Sequence, residues 1–277
     1  MRLGGPIFQR PNSPEAWVVS VQAKGYRAAY CPVGPDADDT TVRAYEDAAR
    51  KADLVIAECG AWSNPLSKEE KIRNEALANC RRQLDLAERI GARCCVNIAG
   101  SRGAKWDGPC AEDLTEETFA LVVESVRSII DAVKPKRAFY TLETMPWMYP
   151  DSVESYERLI KAIDRPQFAV HYDAVNLVNC PARYFNNAAL IREFVRRMGP
   201  KIKSCHLKDI RLAPDLTVHL SEVPLGDGGL DHRCLLTELN GLDVDLPVML
   251  EHLSGEKEYD AAARYARDVA AKAGVKV

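Results

Sequence analysis

The sequence has no long apolar run: no stretch approaches the roughly 18 residues of a membrane span, so no membrane partner is expected. Its opening, MRLGGPIFQRPNSPEAW, shows none of the apolar core of an export signal, and the expected location is the cytoplasm. There is no excess of charge of either sign. With 37 basic and 40 acidic side chains the net charge is −3, which argues against a nucleic-acid groove or an anionic membrane surface as partner. The nine cysteines (Cys31, Cys59, Cys80, Cys94, Cys95, Cys110, Cys180, Cys205 and Cys234) include no C-x-x-C pair. Structural zinc on cysteine is therefore not expected, and the scattered thiols read as reduced. Histidine is scarce: five residues, none before His171.

What is present is a rhythm. Short β-type runs recur near Arg2–Gly4, Ala28–Cys31, Leu54–Glu58, Cys94–Asn97, Ala138–Leu142, Phe168–Tyr172, Ile202–Cys205 and Val248–Leu250. Most are apolar throughout, the pattern of parallel strands buried on both faces. Amphipathic helical patterns separate them, including Glu69–Ile90 before Gly91, Thr115–Val133 before Lys134-Pro135, Ser152–Ile163, Ala188–Met198 before Gly199-Pro200, and Tyr259–Ala273 before Gly274. Eight strands alternating with helices predict an α/β fold, either a closed barrel or a doubly wound sheet. The segment after the first strand, Gly4-Gly5-Pro6-Ile7-Phe8-Gln9, lacks the G-x-G-x-x-G of a dinucleotide fold. No linker or low-complexity segment divides the chain. The expected architecture is a single (β/α)₈ TIM barrel forming one domain over residues 1–277, a length that suits it.

Four segments at the ends of the last four runs carry the chemistry: Tyr140-Thr-Leu-Glu143, Val170-His-Tyr-Asp173, Ser204-Cys-His206 and Met249-Leu-Glu251. Their gaps of 30, 33 and 45 residues are each close to one βα unit. In a barrel, consecutive strand ends are neighbours around one rim, where barrel chemistry sits. Three carboxylates crowded together repel one another unless a cation neutralises them. Three oxygen donors and one imidazole suit Mn²⁺ first, with Mg²⁺, Co²⁺ or Zn²⁺ as alternatives. One divalent metal ion on Glu143, Asp173, His206 and Glu251 is therefore expected, able to polarise a carbonyl or hydroxyl.

These residues resemble the xylose isomerase-like barrel superfamily of sugar isomerases, epimerases and inosose dehydratases. The resemblance runs from Trp62-Ser-Asn-Pro-Leu to Glu251 and is most specific at Leu142-Glu143, Asp173-Ala-Val-Asn176, His206-Leu-Lys-Asp209, Pro224-Leu-Gly-Asp-Gly228, Asp231 and Leu250-Glu251. It implies the same four metal ligands and, by the ketose 3-epimerases of the superfamily, an acid/base pair formed by Glu143 and Glu251. The sequence departs from those epimerases at Asn176, where they carry histidine, and at Arg211, one residue out of step with their arginine. The His206–Asp209 form is closer to the sugar-phosphate epimerase and inosose branches.

Substrate-facing candidates are His171, which alternation places on the face of Asp173 and which could instead orient a carboxylate, together with Asn176, Lys208, Arg211 and Asn97. Trp62 and Trp147, in loops, suit apolar walls against sugar rings. His219, His232 and His252 are not expected as ligands; alternation turns His252 away from Glu251. The glycines from Gly226 to Gly229 are expected to shape a turn.

The function expected is a metal-dependent isomerase or epimerase of a small carbohydrate or similar polyhydroxy carbonyl compound, through proton abstraction beside the carbonyl. The same half-reaction followed by loss of a β-substituent gives a dehydratase or lyase on an inosose or 3-keto glycoside. A sugar-binding barrel without turnover is the third reading. A DNA-repair endonuclease of the same fold needs three zinc ions and many histidines, which this sequence does not supply. A homo-oligomer is left open.

Overall fold

The computed structural model describes residues 1–9 and 11–277. In chain order its strands are β1 (Arg2–Gly4), β2 (Ala28–Ala29), β3 (Val55–Ile56), β4 (Glu58–Gly60), β5 (Cys94–Asn97), β6 (Phe139–Glu143), β7 (Phe168–Asp173), β8 (Ile202–Leu207), β9 (Asp209–Leu212), β10 (Leu220–Val223) and β11 (Pro247–Leu250). The helices are α1 (Pro14–Ala23), α2 (Asp39–Lys51), α3 (Glu70–Ile90), α4 (Glu116–Val133), α5 (Val153–Ile163), α6 (Pro181–Phe185), α7 (Asn187–Met198), α8 (His232–Asn240) and α9 (Glu256–Ala273).

Nine of the strands form one parallel sheet in the order β3-β2-β1-β11-β8-β7-β6-β5-β4. Its two edges, β3 and β4, are consecutive in the chain and separated only by Ala57. They are two halves of one barrel strand: β3 pairs with β2 and β4 with β5. The ring therefore closes at Ala57, giving a (β/α)₈ TIM barrel. The antiparallel hairpin β9–β10 is an addition between β8 and α8.

Local chemistry explains where the helices stop and start. The Thr115 hydroxyl accepts from Thr118 N–H at the start of α4, and Ser152 with Ser155 forms a reciprocal cap on α5. Helix α3 ends on Gly91 at φ 74°, a left-handed position that glycine adopts without Cβ strain.

The later strands alternate more sharply than an apolar run would. Tyr140, Leu142, Val170, Tyr172, Cys205, Leu207, Val248 and Leu250 belong to the main apolar core. Their alternates, Thr141, Glu143, His171, Asp173, Ser204 and His206, are buried too, on the opposite face inside the barrel. A side chain such as Leu142 or Val170 contributes about 1.5–3 kcal/mol by leaving water. That apolar outer layer holds the polar inner layer in place. The Tyr156 hydroxyl reaches from α5 to the Leu142 carbonyl oxygen, 2.5 Å away, one residue before Glu143.

Candidate metal centre and active site

The ends of β6, β7, β8 and β11 face one another across the top of the barrel. Ligand atoms of Glu143, Asp173, His206 and Glu251 all lie within 4.8 Å of one another. Short hydrogen bonds fix them. The Thr144 hydroxyl donates to the Asp173 carbonyl (2.7 Å) and accepts from the Asp173 N–H (3.0 Å), tying the ends of β6 and β7 together. Asp173 Oδ1 accepts from the N–H groups of Val175 (2.9 Å) and Asn176 (3.2 Å). Its Oδ2 and Glu251 Oε2 are buried and meet the ammonium of Lys208.

His206 Nδ1 stands 3.0 Å from both Glu143 Oε1 and Glu251 Oε2. A nitrogen facing two carboxylate oxygens either carries a proton or shares a cation with them. Lys208 Nζ enters the same cluster, 2.8 Å from Asp173 Oδ2, 3.0 Å from Glu251 Oε2 and 3.7 Å from Glu143 Oε1. With His206 neutral, as a metal ligand must be, three carboxylates against one ammonium leave an excess of two negative charges, which a divalent cation would cancel. The four convergent donor groups and this charge excess fit a metal ion.

The titration behaviour reflects the same crowding. Burial pushes the Asp173 carboxyl up to about 7; Lys208 opposes the shift and Glu143 adds to it. Burial would also raise Glu143, but His206 and Lys208 outweigh it and hold that carboxyl at about 2. Glu251 is likewise held low, by His206 and then Lys208, against its burial. Burial disfavours the charged form of His206, yet Glu251, Glu143 and Glu58 raise its pKa well above the ordinary value.

Beside the cluster opens a cavity of about 380 Å³. Glu143, Glu251 and Lys208 form its floor, and Trp62, Trp106 and Trp147 contribute to its walls. A larger depression of about 580 Å³ lies at the opposite end of the barrel among Arg2, Asp53, Arg93, Arg137 and Asp243. Most of its charges pair with one another or with near neighbours (Arg2 with Asp53, Arg93 with Asp243, Arg137 with Glu46), and none of the four clustered donors line it. Of the four clustered donors, Glu143 and Glu251 line the smaller cavity.

A model of the family described as xylose isomerase-like TIM barrel matches residues 20–269. The chain belongs to this family. At the level of sequence no curated protein matches it. Among solved structures it is similar to the D-psicose 3-epimerase of Clostridium cellulolyticum with D-tagatose, at 15% identity and TM-score 0.71, covering 100% of both chains. It is also similar to the probable 3-DHS dehydratase of petrobactin synthesis from Bacillus anthracis, at 17% identity and TM-score 0.70, covering 96% of this chain and 98% of that one. A third is a xylose isomerase-like TIM barrel protein from Mycobacterium smegmatis in complex with magnesium, at 16% identity and TM-score 0.66, covering 95% and 90%. At these identities the likeness is one of fold.

Within this xylose isomerase-like barrel, several residues named from sequence reach the cavity. Trp62, Trp147, Asn176 and Lys208 line it. Asn176 Nδ2 donates to Glu143 Oε1 at 3.2 Å, so it touches a ligand carboxylate directly. Three others are corrected. Asn97 is fully buried; its amide donates to the Ser63 carbonyl (3.2 Å) and accepts from the Ser63 N–H (3.3 Å), so it pins a loop and does not face substrate. His171 is fully buried beneath the clustered donors and does not line the cavity; of the two roles the sequence left open, its contact is with a carboxylate, Nε2 lying 2.9 Å from Glu58 Oε2. Arg211 is exposed on the β9–β10 hairpin and does not line the cavity.

His252 is not turned away as alternation suggested. Strand β11 ends at Leu250, and His252 takes φ 57°, which brings it to the cavity wall. There its Nδ1 lies 2.9 Å from Glu222 Oε2, and Glu222 Oε1 lies 3.2 Å from Lys208 Nζ. Glu222, Trp106 and Lys105 are cavity residues the sequence reading missed. Also missed is Glu58 on β4, which lies outside the cavity lining and whose carboxylate underlies both His171 and His206. Its signal was legible: an acid inside an otherwise apolar strand. The Gly226–Gly229 turn is shaped by Asp209, which accepts from the N–H groups of Gly226 (2.9 Å), Gly228 (3.0 Å) and Leu230 (3.1 Å). A Cβ on Gly228 would meet Asp209 Oδ1 at 2.2 Å, so the turn needs glycine there.

Proposed function

We propose that this protein, as one domain over residues 1–277, is a divalent-metal-dependent isomerase or epimerase of a small polyhydroxy carbonyl compound, with Mn²⁺ as the first choice of ion. One observation carries the reading: Glu143, Asp173, His206 and Glu251 converge within 4.8 Å at the foot of the cavity, three carboxylates against the single ammonium of Lys208. Those four residues hold the ion, which when bound supplies Lewis-acid polarisation of a substrate oxygen.

The chain's own residues do the rest. Glu143 and Glu251 flank the cluster from β6 and the end of β11, with β7 and β8 between them. One takes the proton from the carbon beside the substrate carbonyl, and the other returns a proton from the opposite face. Asn176 steadies Glu143 by its 3.2 Å hydrogen bond. Lys208 holds a substrate hydroxyl, and Trp62 and Trp147 cover the apolar face of the sugar and exclude water.

A second reading, elimination by a dehydratase or lyase, is favoured by the Glu222–His252 pair at 2.9 Å. It adds a proton donor at the cavity wall, beyond the two glutamates, for a departing hydroxyl.

The test is deuterium exchange from solvent into free ketoses, ketose phosphates, inososes and 3-keto glycosides, with Mn²⁺ supplied and metal content measured. Exchange in one class, followed by identification of its product, supports the reading and separates epimer from dehydrated compound. A full metal site with no exchange in any class overturns it in favour of a binding protein.

A further inference from the structure

We propose that Glu58 is the positioning residue of the metal centre: it accepts a hydrogen bond from His206 Nε2–H and so leaves Nδ1 as the lone pair offered to the ion. The inference rests on the metal reading above and adds a residue from the first half of the barrel to it.

A neutral imidazole has one N–H and one lone pair, and the partner of one nitrogen decides the state of the other. His206 Nδ1 faces Glu143 and Glu251 at 3.0 Å, so it is the nitrogen pointing at the ion site. Nε2, on the far side of the ring, is 3.2 Å from Glu58 Oε1. An ionised carboxylate only accepts, so the proton belongs on Nε2. The ring is thus pinned between Glu58 below and the donor set above.

Glu58 is itself held firmly. Its Oε2 accepts from the Ser204 hydroxyl at 2.8 Å and lies 2.9 Å from His171 Nε2. It is 2% exposed, and His171 and Ser204 are fully buried. A group serving only to fill the barrel would not need this arrangement: His171 points one nitrogen at Glu58 and leaves its Nδ1 buried with no partner. The polar layer is organised around the carboxylate, and that carboxylate touches the one ligand whose tautomer must be chosen. Carboxylates behind metal-bound histidines typically change metal affinity about 10–100-fold when removed.

The experiment uses the full-length protein, stripped with EDTA and titrated with Mn²⁺ by calorimetry, and loaded with Mg²⁺ for ¹⁵N histidine NMR. In the wild type, NMR is expected to show His206 protonated at Nε2 and bare at Nδ1. Glu58→Leu is expected to raise the Mn²⁺ dissociation constant about 10–100-fold. Glu58→Gln, whose amide oxygen still accepts from Nε2–H, is expected to recover part of that loss, which a merely structural defect would not do. A proton found on Nδ1 of the Mg²⁺-saturated wild type overturns the proposal even if Glu58→Leu fails to fold. So do a folded Glu58→Leu with wild-type affinity, and a stoichiometry of two ions that makes Glu58 a ligand. Failure of the wild type to bind any ion overturns the metal reading itself and is distinguished by that control.

Discussion

Replacing Lys208 with methionine tests the charge balance of the centre most directly. The ammonium is 4% exposed and sits 2.8 Å from Asp173, 3.0 Å from Glu251, 3.2 Å from Glu222 and 3.7 Å from Glu143. Methionine keeps an unbranched stem and removes the charge. Breaking a buried ion pair by deleting one partner costs about 3–5 kcal/mol, because the other charge is left uncompensated. At about 2–4 °C per kcal/mol, that lowers the melting temperature of the EDTA-treated protein by about 6–20 °C. Adding Mn²⁺ should change the comparison. An ion at 100 times its dissociation constant stabilises a folded protein by about 2.7 kcal/mol. The variant, with three carboxylates and no lysine among them, binds the ion more tightly, so its gain exceeds that of the wild type. Thermal denaturation of both proteins in EDTA and in Mn²⁺ should therefore show a gap that narrows with metal. Equal melting temperatures in EDTA would refute the role of Lys208 as the cluster's resident cation. A gap that Mn²⁺ leaves unchanged would refute the idea that lysine and ion neutralise the same carboxylates.

Glu143→Gln and Glu251→Gln should each lower solvent exchange by about 10²–10⁴-fold with circular dichroism unchanged; retention of more than about a tenth of the rate removes that residue from the acid/base pair. Asp53→Asn isolates a charge at the opposite end of the barrel, since asparagine tolerates the φ of 54° found there. Hydrogen bonds from Arg2 and then Arg27 lower the Asp53 carboxyl from 3.8 to about 2, so its contribution is complete above about pH 4 and disappears as pH falls toward 2. The melting-temperature difference from wild type should follow that window, and a difference constant across it contradicts the assignment. Asn97→Ala should destabilise the protein by about 1–3 kcal/mol through the unpaired Ser63 backbone groups while leaving KM unchanged; a raised KM would return Asn97 to the substrate.

The barrel and its four clustered donors were readable because both depend on local pattern. A βα unit has a characteristic length, and the donors fall at the ends of consecutive units. Cys94–Asn97 coincides with β5, and Phe168–Tyr172 falls one residue short of β7. The residues that escaped depend on what lies far away in the chain. Glu222 arrives on a hairpin that belongs to no βα unit, and His252 turns because β11 stops at Leu250. Asn97 stands at a strand end like the ligands, but Ser63, 34 residues away, takes its amide. Glu58 escapes a search for apolar runs because the inner face of these strands buries polar side chains as well, among them Glu58, Thr141, His171 and Ser204.

The closure of the ring has a consequence for assembly. Strand β11 inserts between β8 and β1, pairing Arg2 with Pro247 and Val248 with Cys205, and Glu251 follows it directly. No nascent or truncated chain ending before that point has the complete donor set. Contacts between the two ends of a chain are slow to form, since the loop entropy must be overcome first. On the metal reading proposed above, capture of the ion would follow insertion of the last strand and would latch the seam between the chain's beginning and its end, so ion uptake during refolding should time the moment the barrel shuts.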